Sequence, residues 1–444
     1  MAPGLLTAAT VDGELLAFVT GLQLRDLPGP IRERLGLLLR DMAAVCVAGR
    51  TAPAAALAAE HAATLHPSPD AALLHDGRRV GVTGAAFANG VLANVLDYDD
   101  GHRLTKGHPG AMVIPATLAV AQNLDSSVAE FLAAVAVGYE VAIRAGIALH
   151  ERDPSYHASG SWGSVGVAAA ASRLLGLDGH GLRAALGLAE YHAPIGHIMR
   201  SCADPQMTKD ACAWGATVGV SSALLAARGF TGTRPEFLET PLDDLGSRWR
   251  LAELYIKAYP CCRWSQGAIV AALDAAGGEA LDPADVRQVR VRTFAAADGL
   301  AKTIPTSTEV AQYSLHWPVA CALARGRFGV QEVLGSFDDP AIVAMFELIT
   351  VIVDPELTDA FPARRLTAVE IELADGTMRS SGPVQAAGEP EDPGLDALVA
   401  TKVRALVGLG DVAHGAAPER GMRDRAAPEL LALLCDAGTV LADA

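Results

Sequence analysis

The chain has 444 residues, and at 51% hydrophobic and 19% charged residues it is too apolar to be mainly disordered. Its formal net charge of −16 offers no electrostatic footprint for nucleic acid or an anionic membrane. Seven cysteines with no C-x-x-C pair do not read as a disulfide framework, a zinc site or an iron–sulfur site. The N-terminus lacks the basic n-region of a signal peptide, and no run of ~18 residues is apolar and free of charges and turn formers, so a soluble, cytoplasmic protein is expected.

Apolar residues recur at helical spacing through residues 13–65, with Gly and Pro at the breaks, and again through 83–96. The connector "DYDDGHRLTKGHPG" (97–110) then packs three carboxylates, two histidines and a lysine into fourteen positions. Residues 127–150 read as one long helix in which Glu140 and Arg144, four apart, can pair. The loop "ERDPSYHASGSWGS" leads into further apolar helices, the last opening on "MTKDACAWG" and ending at a glycine stop signal. Near residue 280 the pattern changes. "DVRQVRVRTF" (285–294) and "TAVEIELADGTMRS" (367–380) alternate with period two, the second around an Asp-Gly turn. "STEVAQYSLHWPVACALARG" between them reads as helix, as do the last forty residues. The expected organisation is mainly α: a helical domain (1–270), a smaller α+β lid domain (271–400) and C-terminal helices (401–444) packing back on the body. A link near 276–283 is placed to act as a hinge.

Several segments carry candidate chemistry. His108 precedes Pro109, which biases its backbone away from helix, and sits near the positive start of the next helix, where a carboxylate ligand is favoured. Asp97, Asp99 and Asp100 close the preceding helix, where carboxylates oppose the dipole; orienting a histidine is one reason for them to be there. The same connector also fits a solvated polar loop, or a hard-metal site without EF-hand spacing. His157 precedes a Ser/Gly-rich helix start, which suits either a ligand at free N–H groups or close helix packing. Lys209 opens an apolar helix and Lys257 lies in an aromatic, proline-containing link; an exposed lysine and a snorkelling one are the plainer readings.

Together these segments resemble the MmgE/PrpD family, which includes 2-methylcitrate dehydratases, cis-aconitate decarboxylases and iminodisuccinate epimerases. The resemblance runs in order through "LDYDDGHRLTKGHPGAMVIPATLAVA", "GYEVAIRAG", "YHASGSWGSVGVAAAASRLLGL", "KDACAWGATVGVSSALLAARGFTG", "KAYPCCRWSQGAI", "AQYSLHWPVACALARG" and "FPARRLTAVEIELADG". It implies a helical domain with an α+β lid, a cleft between them, a homodimer, a small anionic substrate, and no metal or organic cofactor. It also implies catalytic roles for Asp97, His108, His157, Lys209 and Lys257. The chain departs from the decarboxylase pattern in having Gly101 and His102 where a threonine is expected, Trp317 in place of a tyrosine, and Gln266 in place of a histidine. His102 and Trp317 are therefore candidate substrate contacts, and His102 would suit a two-base epimerase. The implied chemistry is proton transfer at a carbon next to a carboxylate, in a lyase (dehydratase or decarboxylase) first, an epimerase or isomerase second. A non-catalytic binding relative is the third possibility.

Overall fold

The computed structural model describes residues 8–407 and 421–442. Its centre is the helix Val128–Arg152, started by Ser127, whose side chain accepts the Glu130 N–H. This helix is long and apolar enough to cross a membrane, but it is buried among other helices of the body. The one charged pair at its middle is internal: Arg144 Nη1 lies 2.5 Å from Glu140, which also accepts the backbone N–H groups of Arg250 and Leu251. Helices Gly110–Leu124 and Gly160–Leu174 pack against it. A Cβ on Gly166 would stand 2.4 Å from the Gly138 carbonyl, so glycine there permits close helix contact.

The expected strands form in a four-stranded sheet ordered Ile349–Val353, Val286–Thr293, Ala368–Leu373, Met378–Ser380. The first pair is parallel and the others antiparallel. The Asp375-Gly376 turn closes the hairpin with Gly376 at φ 87°. Alternate residues Val289, Val291, Val369 and Ile371 are buried, and helix Arg263–Ala275 packs on Ala368–Leu373. Strand Ile349–Val353 was not expected: mostly exposed, it carries no alternating signal. The helix expected over 307–326 is two, Thr308–Gln312 and His316–Arg325, broken at Tyr313–Leu315. Helices Leu395–Leu406 and Ala427–Ala442 lie against Gly29–Gly49. Lys402, buried in this joint, stands 2.7 Å from Asp41 and donates to the Tyr98 carbonyl at 2.6 Å, fastening the C-terminal helices beneath the 97–110 connector.

Candidate active site

Helix Val82–Asn94 ends at Asn94, whose side-chain amide donates to Asp99 Oδ1 at 3.1 Å. The chain then turns through Asp97 at a left-handed φ of 50°, and Gly101–His102 pair antiparallel with Leu254–Tyr255. That short ladder joins the connector to the link that carries Lys257. The Lys257 ammonium stands 2.9 Å from Asp97 Oδ1 and donates to the Asp97 carbonyl at 2.8 Å, with both residues 1% exposed. Lys209 approaches the same carboxylate oxygen to 3.9 Å and donates to the Gln312 side chain. Asp97, Lys106, Lys209 and Ala211 are four of the six non-glycine left-handed residues among the described residues. Such conformations cost free energy for side chains other than glycine, and here they cluster in the two segments that shape the site.

His108 lies at the wall of a cleft of about 180 Å³. Its backbone N–H is held by Ser159 Oγ at 2.9 Å. Its Nδ1 is 3.0 Å from the Asp100 carbonyl, which can only accept, so Nδ1 carries a proton; Asp99 Oδ2 is 3.1 Å from the same nitrogen. Among the described residues Nε2 makes no hydrogen bond, its nearest carboxylate oxygens being Asp97 at 3.6 Å and Asp210 at 3.8 Å. Burial and Lys257 push the imidazole pKa down, but Asp99 and Asp210 outweigh them and raise it to about 9. Burial likewise works against an ionised Asp97, yet Lys257, Lys209 and His108 hold it well below the usual carboxylate range. Asp97, Asp99 and His108 form the acid–base pole of the cleft, which therefore rests with an imidazolium beside ionised carboxylates. Asp100 differs: burial raises it to about 7, and it accepts Tyr139 Oη at 2.5 Å and the Gly110 N–H at 3.0 Å. It serves the positive start of helix Gly110–Leu124, which removes the dipole conflict read from the sequence.

Asp97, His108, Lys209 and Lys257 thus meet, although Lys209 stands behind Asp97 and not on the cleft wall. Three other candidates lie elsewhere. Tyr156 faces the cleft, so its neighbour His157, in extended backbone bridged to His197, faces away toward Asp153 and Ser155. His102 is buried in the short ladder with Nε2 3.3 Å from Glu253, and burial lowers its pKa. Trp317 is a core residue: its indole N–H donates to the Glu332 carbonyl at 3.0 Å and its ring meets Phe337. The break before His316 puts Tyr313 on the cleft instead, where its hydroxyl donates to Asp210 at 2.9 Å. The substitution at Gly101 has a steric cause, because a Cβ there would fall 2.3 Å from the Tyr255 hydroxyl. The small residues after His157 serve packing: a Cβ on Gly160 would meet the Ala211 carbonyl at 2.4 Å.

The sequence reading missed Asp210 and Tyr313, although each adjoins or lies within a segment it singled out. It also missed Arg103, Arg263 and Arg365, which line the same cleft from distant points in the chain. Ligand-type atoms of Asp97, Asp99 and His108 lie within 4.8 Å of one another, a spacing a metal could use. The fit is poor, because Lys257 already supplies a cation to Asp97 and His108 Nδ1 is committed to a carbonyl.

The cis-aconitate decarboxylase-like protein oryM of Aspergillus oryzae is 27% identical over 293 residues, which span 59% of this chain and 60% of that protein. A cis-aconitate decarboxylase of Aspergillus terreus is 25% identical over 413 residues, 84% of this chain and 82% of the relative. The human cis-aconitate decarboxylase is 35% identical over 168 residues, 35% of this chain and 33% of that protein. The MmgE/PrpD N-terminal domain matches residues 13–242 and the MmgE/PrpD C-terminal domain residues 259–416, and the chain belongs to the MmgE/PrpD family.

Proposed function

We propose that the protein is a cofactor-independent lyase acting on a small polycarboxylate, with His108 as its proton donor. The observation that carries this reading is the setting of that imidazole: buried against carboxylates that favour its protonated form, locked at Nδ1 by the Asp100 carbonyl and Asp99, and with Nε2 at the cleft wall. A group that rests protonated is poised to give a proton when substrate enters. In a decarboxylation the proton would go to carbon as the bond to the departing carboxylate breaks. In a dehydration it would go to the leaving hydroxyl, while a base takes the proton next to a carboxylate. Asp210, tied to Tyr313 and 3.8 Å from His108 Nε2, is the carboxylate placed for that second task. Lys257 keeps Asp97 ionised, and Asp99 and Asp210 keep His108 charged. The known relatives named as cis-aconitate decarboxylases favour that substrate type.

Proton NMR in D₂O tests the reading with cis-aconitate, citrate, 2-methylcitrate, iminodisuccinate and simple hydroxy-diacids. A new vinylic signal that His108→Gln abolishes is expected. Deuterium entering a substrate without loss of a group would replace the lyase with an epimerase. Silence across the panel from folded protein would overturn the catalytic reading in favour of a binding relative.

A further inference from the structure

The acid–base pole has no spare positive charge. Lys209, Lys257 and the His108 imidazolium face Asp97, Asp99 and Asp210, three cations against three carboxylates. Both lysines are spent on Asp97, so the pole alone does not attract a polyanion. The excess lies with the other cations that line the cleft: Lys106, whose ammonium donates to the Pro154 carbonyl, and a cluster of arginines. In that cluster Arg103, Arg263 and Arg365 converge on one buried carboxylate, Glu389, at 3.6, 2.8 and 3.4 Å. Glu391, the other acidic partner of Arg103, has a side chain 71% exposed.

The three arginines are not equivalent. Arg263 is consumed by structure: its terminal nitrogens donate to Gln266, the carbonyls of Ala386 and Ala387, and Glu389. This explains Gln266, which anchors an arginine from within the core. Arg365 is the opposite case. It is 8% exposed and lines the cleft, its guanidinium makes one long contact to Glu389, and its buried Nε–H has no partner among the described residues. A buried guanidinium donor left unpaired is costly, and a carboxylate brought by a ligand would relieve it in a charge-assisted, two-point contact. Burial lowers the Arg365 pKa; Tyr255 and Glu389 work against this, and the like charges of Arg263 and Arg103 add smaller lowering contributions. Tyr255 links the two sides: its ring touches Gly101 beside the pole and lies 5.2 and 5.4 Å from the Arg263 and Arg365 guanidinium carbons.

We propose that Arg365, backed by Arg103 and positioned by Glu389 and Tyr255, binds a carboxylate of the substrate remote from the carbon that exchanges its proton. The inference rests on the polycarboxylate reading above and narrows it to substrates with a carboxylate beyond those at the acid–base pole.

Titration calorimetry of the full chain tests it with two unreactive probes, tricarballylate (three carboxylates) and glutarate (two). Arg365→Gln is expected to weaken tricarballylate tenfold or more while changing glutarate less than threefold. Equal losses for both probes, or no loss for either, would overturn the assignment while leaving the polycarboxylate reading intact. If wild-type protein binds neither probe, both fall together. Should Arg365→Gln fail to fold, Arg365→Lys carries the test, because it keeps the charge but not the planar fork. A selective loss of tricarballylate of fivefold or more supports the proposal, and unchanged binding overturns it.

Discussion

The two sides of the cleft are built by different means. The acid–base pole is closed on itself: each charge has a buried opposite within 4 Å, and its groups come from short, densely functional segments at 97–108, 209–210 and 257. The arginine side is open: three guanidiniums share one buried carboxylate, and its members are spread from residue 103 to residue 389. A closed pole can hold a proton in a defined place but has little left with which to grip a ligand. An open cluster can grip but has nothing to titrate near neutral pH. On this contrast, damage to the pole reads out in turnover and stability, and damage to the arginine side in affinity.

The largest effect is expected at His108. His108→Gln removes the proton donor and should lower kcat by roughly 10²–10⁴-fold, the usual contribution of a positioned acid. Substrate affinity should move far less, because Nε2 carries a proton and not the main share of binding. The NMR turnover assay and the calorimetric titration, run on the same preparation, separate the two. A variant that loses affinity and keeps kcat would erase the distinction between the two sides.

Lys257→Met comes next, in stability. It strands the Asp97 carboxylate in a buried site with only Lys209 at 3.9 Å and His108 at 3.6 Å to answer it. Breaking one member of a buried ion pair costs about 3–5 kcal/mol. Arg103→Ala, at the half-exposed edge of the arginine cluster, should cost about 1 kcal/mol or less, as exposed pairs do. Urea unfolding of both variants measures the gap, and equal costs would mean that the pole is not the more closed of the two.

The pH dependence sharpens the same contrast. His108 has its folded pKa raised to about 9, so its contribution to stability is complete below its ordinary value near 6.5 and is lost as pH rises through 9. Asp100, raised to about 7 by burial, loses its contribution over a lower window, between about 4 and 7. Asp97 and Asp99 are depressed and act in the other sense: their contribution is present above the ordinary carboxylate range and fades as pH falls. Thermal melts should therefore decline between pH 6.5 and 9 in the wild type, and His108→Gln should flatten that limb. Arg365→Gln should leave its shape unchanged.

How much of this was legible in the sequence follows from the same difference in construction. The central helix, the strand Val286–Thr293 and the 368–380 hairpin each satisfy one local period, and they form where expected. The pole was legible because its residue types are conspicuous within an apolar chain and its ladder is local to two motifs. The arginine side was not, because an arginine at 103, 263 or 365 looks like any surface charge until the chain folds around Glu389. His157 was misplaced for a geometric reason: in extended backbone the neighbour of a cleft-facing Tyr156 must face away.

Trp317 gives the finest test, and the smallest expected change in catalysis. The family resemblance put position 317 at the cleft, in place of a tyrosine, but the break at Tyr313–Leu315 turns Tyr313 inward and leaves Trp317 in the core against Phe337. Trp317→Phe keeps most of the apolar volume but deprives the buried Glu332 carbonyl of its indole donor. An unpaired buried acceptor costs about 1–3 kcal/mol, so the variant should melt earlier. Its kcat/KM should stay within about twofold of wild type, since nothing it touches lines the cleft. Tyr313→Phe should instead reach turnover, freeing Asp210 beside His108 Nε2 and moving the pH profile of turnover, at a comparable cost in melting because Asp210 is itself buried. If the tryptophan variant proved the more damaging to turnover, the assignment of the phenol to position 313 would fall.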